Sequence, residues 1–247
     1  EIWKVTHKFT KQQYAAKQNT HDENVLLHES KVLQILQTHK NIPKMKWYGS
    51  LSNCPSLIIE LLGESLDRIE RDKRQLKTPE WFSQMIDAVE YIHSKGIIHR
   101  DIKPDNFMTK HDGDGICLVD FGLATRYLDN TGKHKPEQRI SNIVGSLNYC
   151  SVNVHDGIRP SRRDDILSLS YVFIFLILGQ LPWNGLSAND KERYIVKFKR
   201  ELCNIKMGKT TRELAVLDAI KNEYSSLLEL SYSEKPKYNV IRETICV

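Results

Sequence analysis

Asp101, Lys103 and Asn106, with Asp120 fourteen residues after the asparagine, are the residues whose types and spacing carry chemistry. A carboxylate at Asp101 can accept or orient the proton of an attacking hydroxyl. The Asn106 amide oxygen and the Asp120 carboxylate are hard oxygen donors of the kind that hold Mg2+. Lys103 can lie against a migrating phosphoryl group. An apolar run, Ile116-Cys117-Leu118-Val119, leads straight into Asp120-Phe121-Gly122, as a strand delivering a carboxylate to a site would. Together these residues point to transfer of the terminal phosphoryl of a nucleotide to a hydroxyl. The bland alternative, a charged surface loop, leaves the strand into Asp120 unexplained.

Such a site needs elements to hold the nucleotide, and the first sixty residues supply candidates. Ile2 to Thr6 and Tyr14 to Lys17 read as strands, with polar residues 8–13 between them. Thr20 and Glu23 form a capping-box pattern, in which each side chain can satisfy a backbone amide of the other at a helix start. In the helix that follows, Val25, Val32, Leu33 and Leu36 share one face, and Glu29 falls on that same face. A carboxylate centred on an apolar stripe must find a partner or bear a large desolvation cost. Lys17 is the partner the upstream strand offers, and the small Ala15 and Ala16 before it leave room for a flat base. The competing possibility is that Glu29 snorkels to solvent and Lys17 is an ordinary surface lysine.

Further along, Ser56 to Leu62 is a short apolar strand running into Gly63, as a hinge would. Thr78 as cap, Pro79 in the first turn and Gly96 past the end predict a second helix, with Phe82, Ile86, Val89 and Ile92 as its buried stripe. That helix flows into Ile97-Ile98-His99 and so supports the loop carrying Asp101. The polar stretch from Gly122 to about Ile143 is long enough to be a mobile loop near the site. His111 to Gly115 has a faint calcium-loop look, but Ile116 sits at a ligand position, so a hairpin turn is the preferred reading.

Composition narrows the setting. The balance of 36 basic against 31 acidic residues gives +5 without any long run of like charge, which does not point to nucleic acid. Tyr171 to Leu178 is apolar but too short to cross about 30 Å of hydrocarbon, so a buried helix is expected and no membrane partner. The five cysteines are odd in number, scattered and free of Cys-x-x-Cys spacing, which fits reduced thiols in an intracellular, cytoplasmic or nuclear protein.

With those residues in hand, the chain resembles the casein kinase I family of serine/threonine protein kinases over nearly its whole length. The matching segments are His99 to Met108, Gly145 to Asn153, Ser161 to Asp165, Leu181 to Leu186 and Glu234 to Tyr238. Ser151-Val152-Asn153 stands where most kinases have Ala-Pro-Glu, and a Ser-apolar-Asn triplet there is a mark of that family. The resemblance implies an α+β, two-lobed protein kinase fold over 1–247, with 1–62 as the small lobe and hinge and 63–247 as the larger helical lobe. It implies ATP and Mg2+ as cofactors and protein substrates, acidic or phosphorylated ones among them, for a monomeric enzyme. By position, Asp101 would be the catalytic base and Lys103 the phosphate contact, a lysine typical of serine/threonine specificity. Asn106 and Asp120 would be the metal ligands. Lys17 and Glu29 would position the nucleotide phosphates, Ile59 would be the gatekeeper, Glu60 and Leu62 would offer hinge backbone, and Ala15 and Met108 would sandwich adenine. Asp165 would fix the backbone of the catalytic loop, and the Ser146 hydroxyl would reach Asp101 and Lys103.

Two departures from the family pattern stand out. The chain opens where a glycine-rich, phosphate-covering loop would be ending, so the first strand and that loop are expected to be missing and ATP binding weakened. Asn148 is neutral where the family carries a basic residue that docks an acidic or phosphorylated substrate. The first departure keeps a pseudokinase or scaffold with weak nucleotide binding as the alternative function; a small-molecule kinase is disfavoured by Lys103.

Overall fold

The structure is a computed structural model and describes residues 1–18, 23–51, 53–111, 113, 115–185, 191–208 and 210–245, so Thr20 of the expected capping pair lies outside the described residues. Strands β1 (Ile2–Thr6), β2 (Gln13–Gln18), β3 (Met45–Leu51) and β4 (Cys54–Glu60) form an antiparallel sheet of order β1-β2-β4-β3. Helix α1 (Glu23–Leu36) packs against β3 and β4. Alternation along β2 turns Ala16 inward, opposite Ile58 of β4, while half-buried Ala15 and Lys17 share the other face.

The apolar stripe of α1 differs from the expected one at its start. Leu26, Val32, Leu33 and Leu36 are buried with Glu29, but Val25 is 36% exposed. The stripe is centred on Leu26 and Leu33, two turns apart, which pushes Val25 to its margin. There it covers Gly122, where an added Cβ would lie 3.3 Å from Val25 Cγ1.

The chain leaves the first sheet at Leu61 and enters a second one. Strands β5 (Leu62–Ser65), β7 (Phe107–Lys110) and β8 (Ile116–Leu118) pair in the order β5-β7-β8, and the short β6 (Ile97–Ile98) pairs with β9 (Thr125–Arg126). Strands β7 and β8 pair antiparallel on either side of the expected hairpin turn; Asp112 and Asp114 lie outside the described residues.

Helix α2 spans Arg71–Ser94 and therefore begins a turn and more before the expected cap at Thr78, with Pro79 inside it rather than in its first turn. Proline removes only its own N–H bond to the carbonyl four residues back, and its fixed φ is itself helical, so helix can continue through it at a local cost. Beyond Pro79 the expected stripe is buried, with Trp81 and Met85 joining Phe82, Ile86, Val89 and Ile92.

The remaining helices are α3 (Val152–His155), α4 (Arg162–Leu178), α5 (Lys191–Arg200), α6 (Thr211–Leu228) and α7 (Tyr238–Ile245). Helix α4 contains the apolar run and is buried on nearly every side because α2 packs on one flank and α6 on another. Phe173 of α4 meets Phe82 of α2 with ring centroids 3.9 Å apart. No helix among the described residues is long and apolar enough to cross a membrane. The stretch after Gly122 is pinned rather than free: β9 ties it to β6, and isolated bridges join Leu128 to His134 and Arg139 to Ile158.

Candidate active site

The loop carrying Asp101 leaves β6 and is fastened from below by the start of α4. Asp165 is 2% exposed, and its two carboxylate oxygens accept the backbone N–H of His99 at 2.8 Å and of Arg100 at 2.9 Å. The His93 ring adds a contact from Nε2 at 2.9 Å, and its Nδ1 lies 2.7 Å from the Tyr238 hydroxyl of α7. Burial alone would raise the Asp165 pKa. The hydrogen bond and charge of His93, together with His99, outweigh it and hold the carboxyl below its ordinary value. These bonds keep Arg100 at φ +71, a left-handed conformation that a residue with a Cβ adopts at a cost of about 1–3 kcal/mol.

Asp101 emerges from that strained turn into a ring of donors. Its Oδ1 accepts the Ser146 backbone N–H at 2.9 Å and the Ser146 hydroxyl at 2.8 Å. Its Oδ2 lies 2.9 Å from Lys103 Nζ and accepts Asn106 Nδ2 at 3.2 Å. Lys103 also donates to the Ser146 hydroxyl at 3.1 Å. Burial opposes the Lys103 charge, but Asp101 more than compensates, so its pKa is raised and the ammonium persists across the neutral range. Gly145 lets Ser146 come this close: at φ +89 an added Cβ would sit 2.3 Å from the Arg100 carbonyl oxygen.

A second cluster joins the first sheet to the end of β8. Lys17 Nζ donates to Glu29 Oε2 at 2.8 Å and to Asp120 Oδ1 at 2.7 Å. Burial lowers the Lys17 pKa, and the two carboxylates raise it by more, so the net shift is upward. Burial raises Glu29 above an ordinary carboxylate, with Lys17 offsetting part of that rise. Asp120 is about half exposed; the Lys17 ammonium outweighs its partial burial and lowers its pKa. Asp120 itself stands at φ +64, a second left-handed residue. The two clusters are tied together where the Val119 N–H donates to the Asn106 carbonyl at 2.9 Å and the His99 ring contacts the Val119 carbonyl at 3.0 Å.

Asn106 spends its amide nitrogen on the Asp101 carbonyl at 2.8 Å and on the Asp101 side chain, which leaves its amide oxygen to face a cation. An amide oxygen and a carboxylate are the donors a hard divalent ion takes beside phosphate oxygens, so Asn106 and Asp120 fit Mg2+ held together with a nucleotide. Of the residues expected around adenine, Ala15 lies opposite Ile59 across β2 and β4, and Met108 is half-buried on β7 opposite Ser65 and Cys117. Leu62 opens β5 opposite Lys110, and the Glu60 N–H is taken by the Lys44 carbonyl at 2.9 Å. On the other side of Asp101, a cavity of about 250 Å³ is lined by Lys103, Asp105, Ser146, Leu147, Asn148 and Tyr149.

Several residues that build the site were not legible as such. Asp164, beside Asp165, is buried and accepts the Ser151 hydroxyl at 2.5 Å, Asn153 Nδ2 at 2.9 Å and the Ser161 N–H at 2.7 Å. This gives the Ser151-Val152-Asn153 triplet a physical purpose: its two polar side chains satisfy a buried carboxylate. His28 of α1 contacts the Ala124 carbonyl at 2.7 Å, and Arg100 Nε donates to the Leu123 carbonyl at 2.6 Å, which hold the segment after Gly122 on two sides. Two basic residues of that segment are spent on backbone: Lys135 donates to the Arg126 carbonyl within it and Arg139 to the Asp156 carbonyl just past α3, both at 2.8 Å.

A protein whose fold gathers an aspartate, a lysine and an asparagine, and ties them through the Val119–Asn106 backbone bond to a Lys–Glu–Asp cluster, is equipped for phosphoryl transfer. The family model described as the protein kinase domain matches residues 1–240. The chain belongs to the protein kinase family, whose members use ATP, typically with Mg2+, to phosphorylate proteins.

The Lys17–Glu29 contact is testable by itself. In denaturant unfolding, Lys17→Met and Glu29→Gln should each destabilise the protein, while the double variant should cost less than their sum by about 1–2 kcal/mol. Additive losses would mean that the two side chains do not meet in solution.

Proposed function

We propose that this chain is a serine/threonine protein kinase of casein kinase I type that transfers the γ-phosphoryl of ATP to hydroxyls of protein substrates. In this reading residues 1–62 form the small lobe and hinge, residues 63–247 form the larger lobe, and the nucleotide lies between them. The observation that carries it is the bonding of Asp101 to Lys103, Asn106 and Ser146, one backbone link away from the Lys17–Glu29–Asp120 cluster.

Each residue's task follows from its surroundings. Ala15, Ile59 and Met108 border the base, with hinge backbone at Glu60 and Leu62. Lys17, kept charged by Glu29, holds the phosphates of ATP. Asn106 and Asp120 would hold Mg2+, which when bound would supply positive charge to the phosphate oxygens. Asp101 orients the acceptor hydroxyl and receives its proton, and Lys103 faces the oxygens of the phosphoryl group in transit. The cavity beside Asp101 suits an acceptor side chain better than a nucleotide, because none of Ala15, Lys17, Ile59 and Met108 lines it. Ser/Thr specificity is supported by Lys103, whose bond to Ser146 braces the entrance to that cavity. The enzyme in this reading is an intracellular monomer acting on acidic or phosphorylated proteins.

The direct assay is Mg2+-dependent transfer of labelled γ-phosphate to dephosphorylated casein. Asp120→Asn should stay folded and lose about a hundredfold or more in rate, the scale of one electrostatic contact to a transition state. A folded Asp120→Asn variant that retains its rate within a few-fold contradicts the role given to Asp120. Nucleotide binding without transfer by the wild-type chain would favour a pseudokinase.

Asn148 sets a second expectation. It lines the acceptor cavity and brings no charge, so attraction to a phosphoserine upstream of the target hydroxyl should be weak. Asn148→Arg should raise the kcat/KM preference for a primed peptide over its unprimed twin about five-fold, roughly 1 kcal/mol, and less at high salt. An unchanged ratio would assign that preference to other residues.

A further inference from the structure

Under the acceptor cavity lies a polar cluster that phosphoryl transfer does not use. Lys199 of α5 is fully buried, and its ammonium has three polar groups within reach. Its Nζ donates to the Leu147 carbonyl at 3.0 Å and to the Cys150 carbonyl at 2.6 Å, and lies 3.2 Å from His155 Nε2. The faces of Tyr171 and Trp183 flank the charge, with ring centroids at 4.9 and 5.4 Å. Tyr224 of α6 donates its hydroxyl to the Lys199 carbonyl at 3.0 Å.

Its two carbonyl partners bracket a short turn of chain. Residues 147, 148 and 149 form one wall of the cavity, and residue 146 is bonded to Asp101. The wall is thus fastened at one end to Asp101 and from beneath to Lys199. A buried cation with hydrogen bonds to two carbonyls cannot be released without leaving charge and acceptors unsatisfied, which gives the wall a single position. We propose that Lys199 is a positioning residue for the acceptor site, holding the 147–150 turn so that its cavity face meets the incoming substrate chain. The proposal rests on the reading of that cavity as the acceptor site.

The surroundings of Lys199 define how this support responds to pH. Burial lowers its pKa to about 8, with Cys150 pulling weakly the other way. The groups facing it are Cys150 from the turn, His155 from α3, Tyr171 from α4 and Tyr224 from α6, with Glu192 reached through His155. Burial raises the Cys150 thiol to about 11 and raises both tyrosines, while burial and the Lys199 charge lower His155. Lys199 is therefore the member of this cluster that changes charge between pH 7 and 9. Because its folded pKa lies below the unfolded value, the buried charge costs stability below about pH 8, and that cost falls away as pH rises towards the unfolded value. Losing the proton favours the fold but removes one donor and the charge that strengthens the other two bonds. Acceptor binding should weaken over a pH range in which folding does not.

The test measures acceptor binding and nucleotide binding separately. Dephosphorylated casein is titrated against the wild-type chain and Lys199→Met, with binding isotherms and KM recorded beside MgATP affinity. Lys199→Met should weaken casein binding and raise its KM about tenfold, leaving MgATP affinity within two-fold. An unchanged casein affinity, or equal losses for casein and nucleotide, overturns the proposal. Should Lys199→Met fail to fold, the wild-type pH profile decides. Casein affinity falling several-fold from pH 7 to 9 with constant MgATP affinity supports the proposal, and a flat casein profile overturns it. Casein that binds in this pattern without being phosphorylated would refute the enzymatic reading while upholding the role of Lys199; casein that does not bind at all refutes that role.

Discussion

Asp165 is the constraint on which the site depends. A carboxylate in the interior costs several kcal/mol unless its oxygens are fully engaged, and those of Asp165 are engaged by the backbone N–H groups of His99 and Arg100 and by His93. The bonds act in both directions. They make the buried charge tolerable, and they hold the chain at Arg100 in a conformation it would otherwise leave. Because α4 is packed between α2 and α6, the anchor is as fixed as the core itself. Tyr238 extends the same support to α7 through the His93 ring.

The adjacent aspartates at the start of α4 divide the work. Asp165 faces the loop that presents Asp101, and Asp164 faces Ser151 and Asn153 at the end of the substrate-side segment. One turn of helix thus sets the relative position of the two segments that line the cavity beside Asp101. Lys17 plays a comparable part on the nucleotide side, where one ammonium between two carboxylates links α1 to the residue that ends β8. A cation between two carboxylates leaves negative charge in excess, which would suit the divalent ion of the proposed reading.

Much of this was legible in the sequence because it rests on local rules. Glu29 on an apolar helix face demanded a cation, and Lys17 meets it at 2.8 Å. The apolar run into Asp120 became β8, and the buried run at Tyr171 became the core of α4. Helix α2 was misjudged at its start because Pro79 is compatible with both a first turn and an interior position, and spacing alone does not separate them. Val25 was misplaced because a stripe's centre depends on what it packs against, here Gly122 beneath its margin. Lys199, Asp164 and His93 were not legible as partners at all. The contacts that join them to other elements span from eleven to 145 residues of sequence, and a lysine among basic residues on a polar helix looks the same whether it faces water or two buried carbonyls.

The most direct measurement replaces Asp165 by Asn and follows nucleotide binding and phosphoryl transfer in the same preparation. An amide there can accept one backbone N–H but turns a donor towards the other, so the loop should lose its fixed position while the Lys17 cluster stays in place. We expect transfer to casein to fall about a hundredfold, with MgATP affinity unchanged within a few-fold and the protein still folded. Full transfer by the folded variant, or a parallel loss of nucleotide binding, would contradict the claim that Asp165 holds the catalytic loop in register with the phosphates.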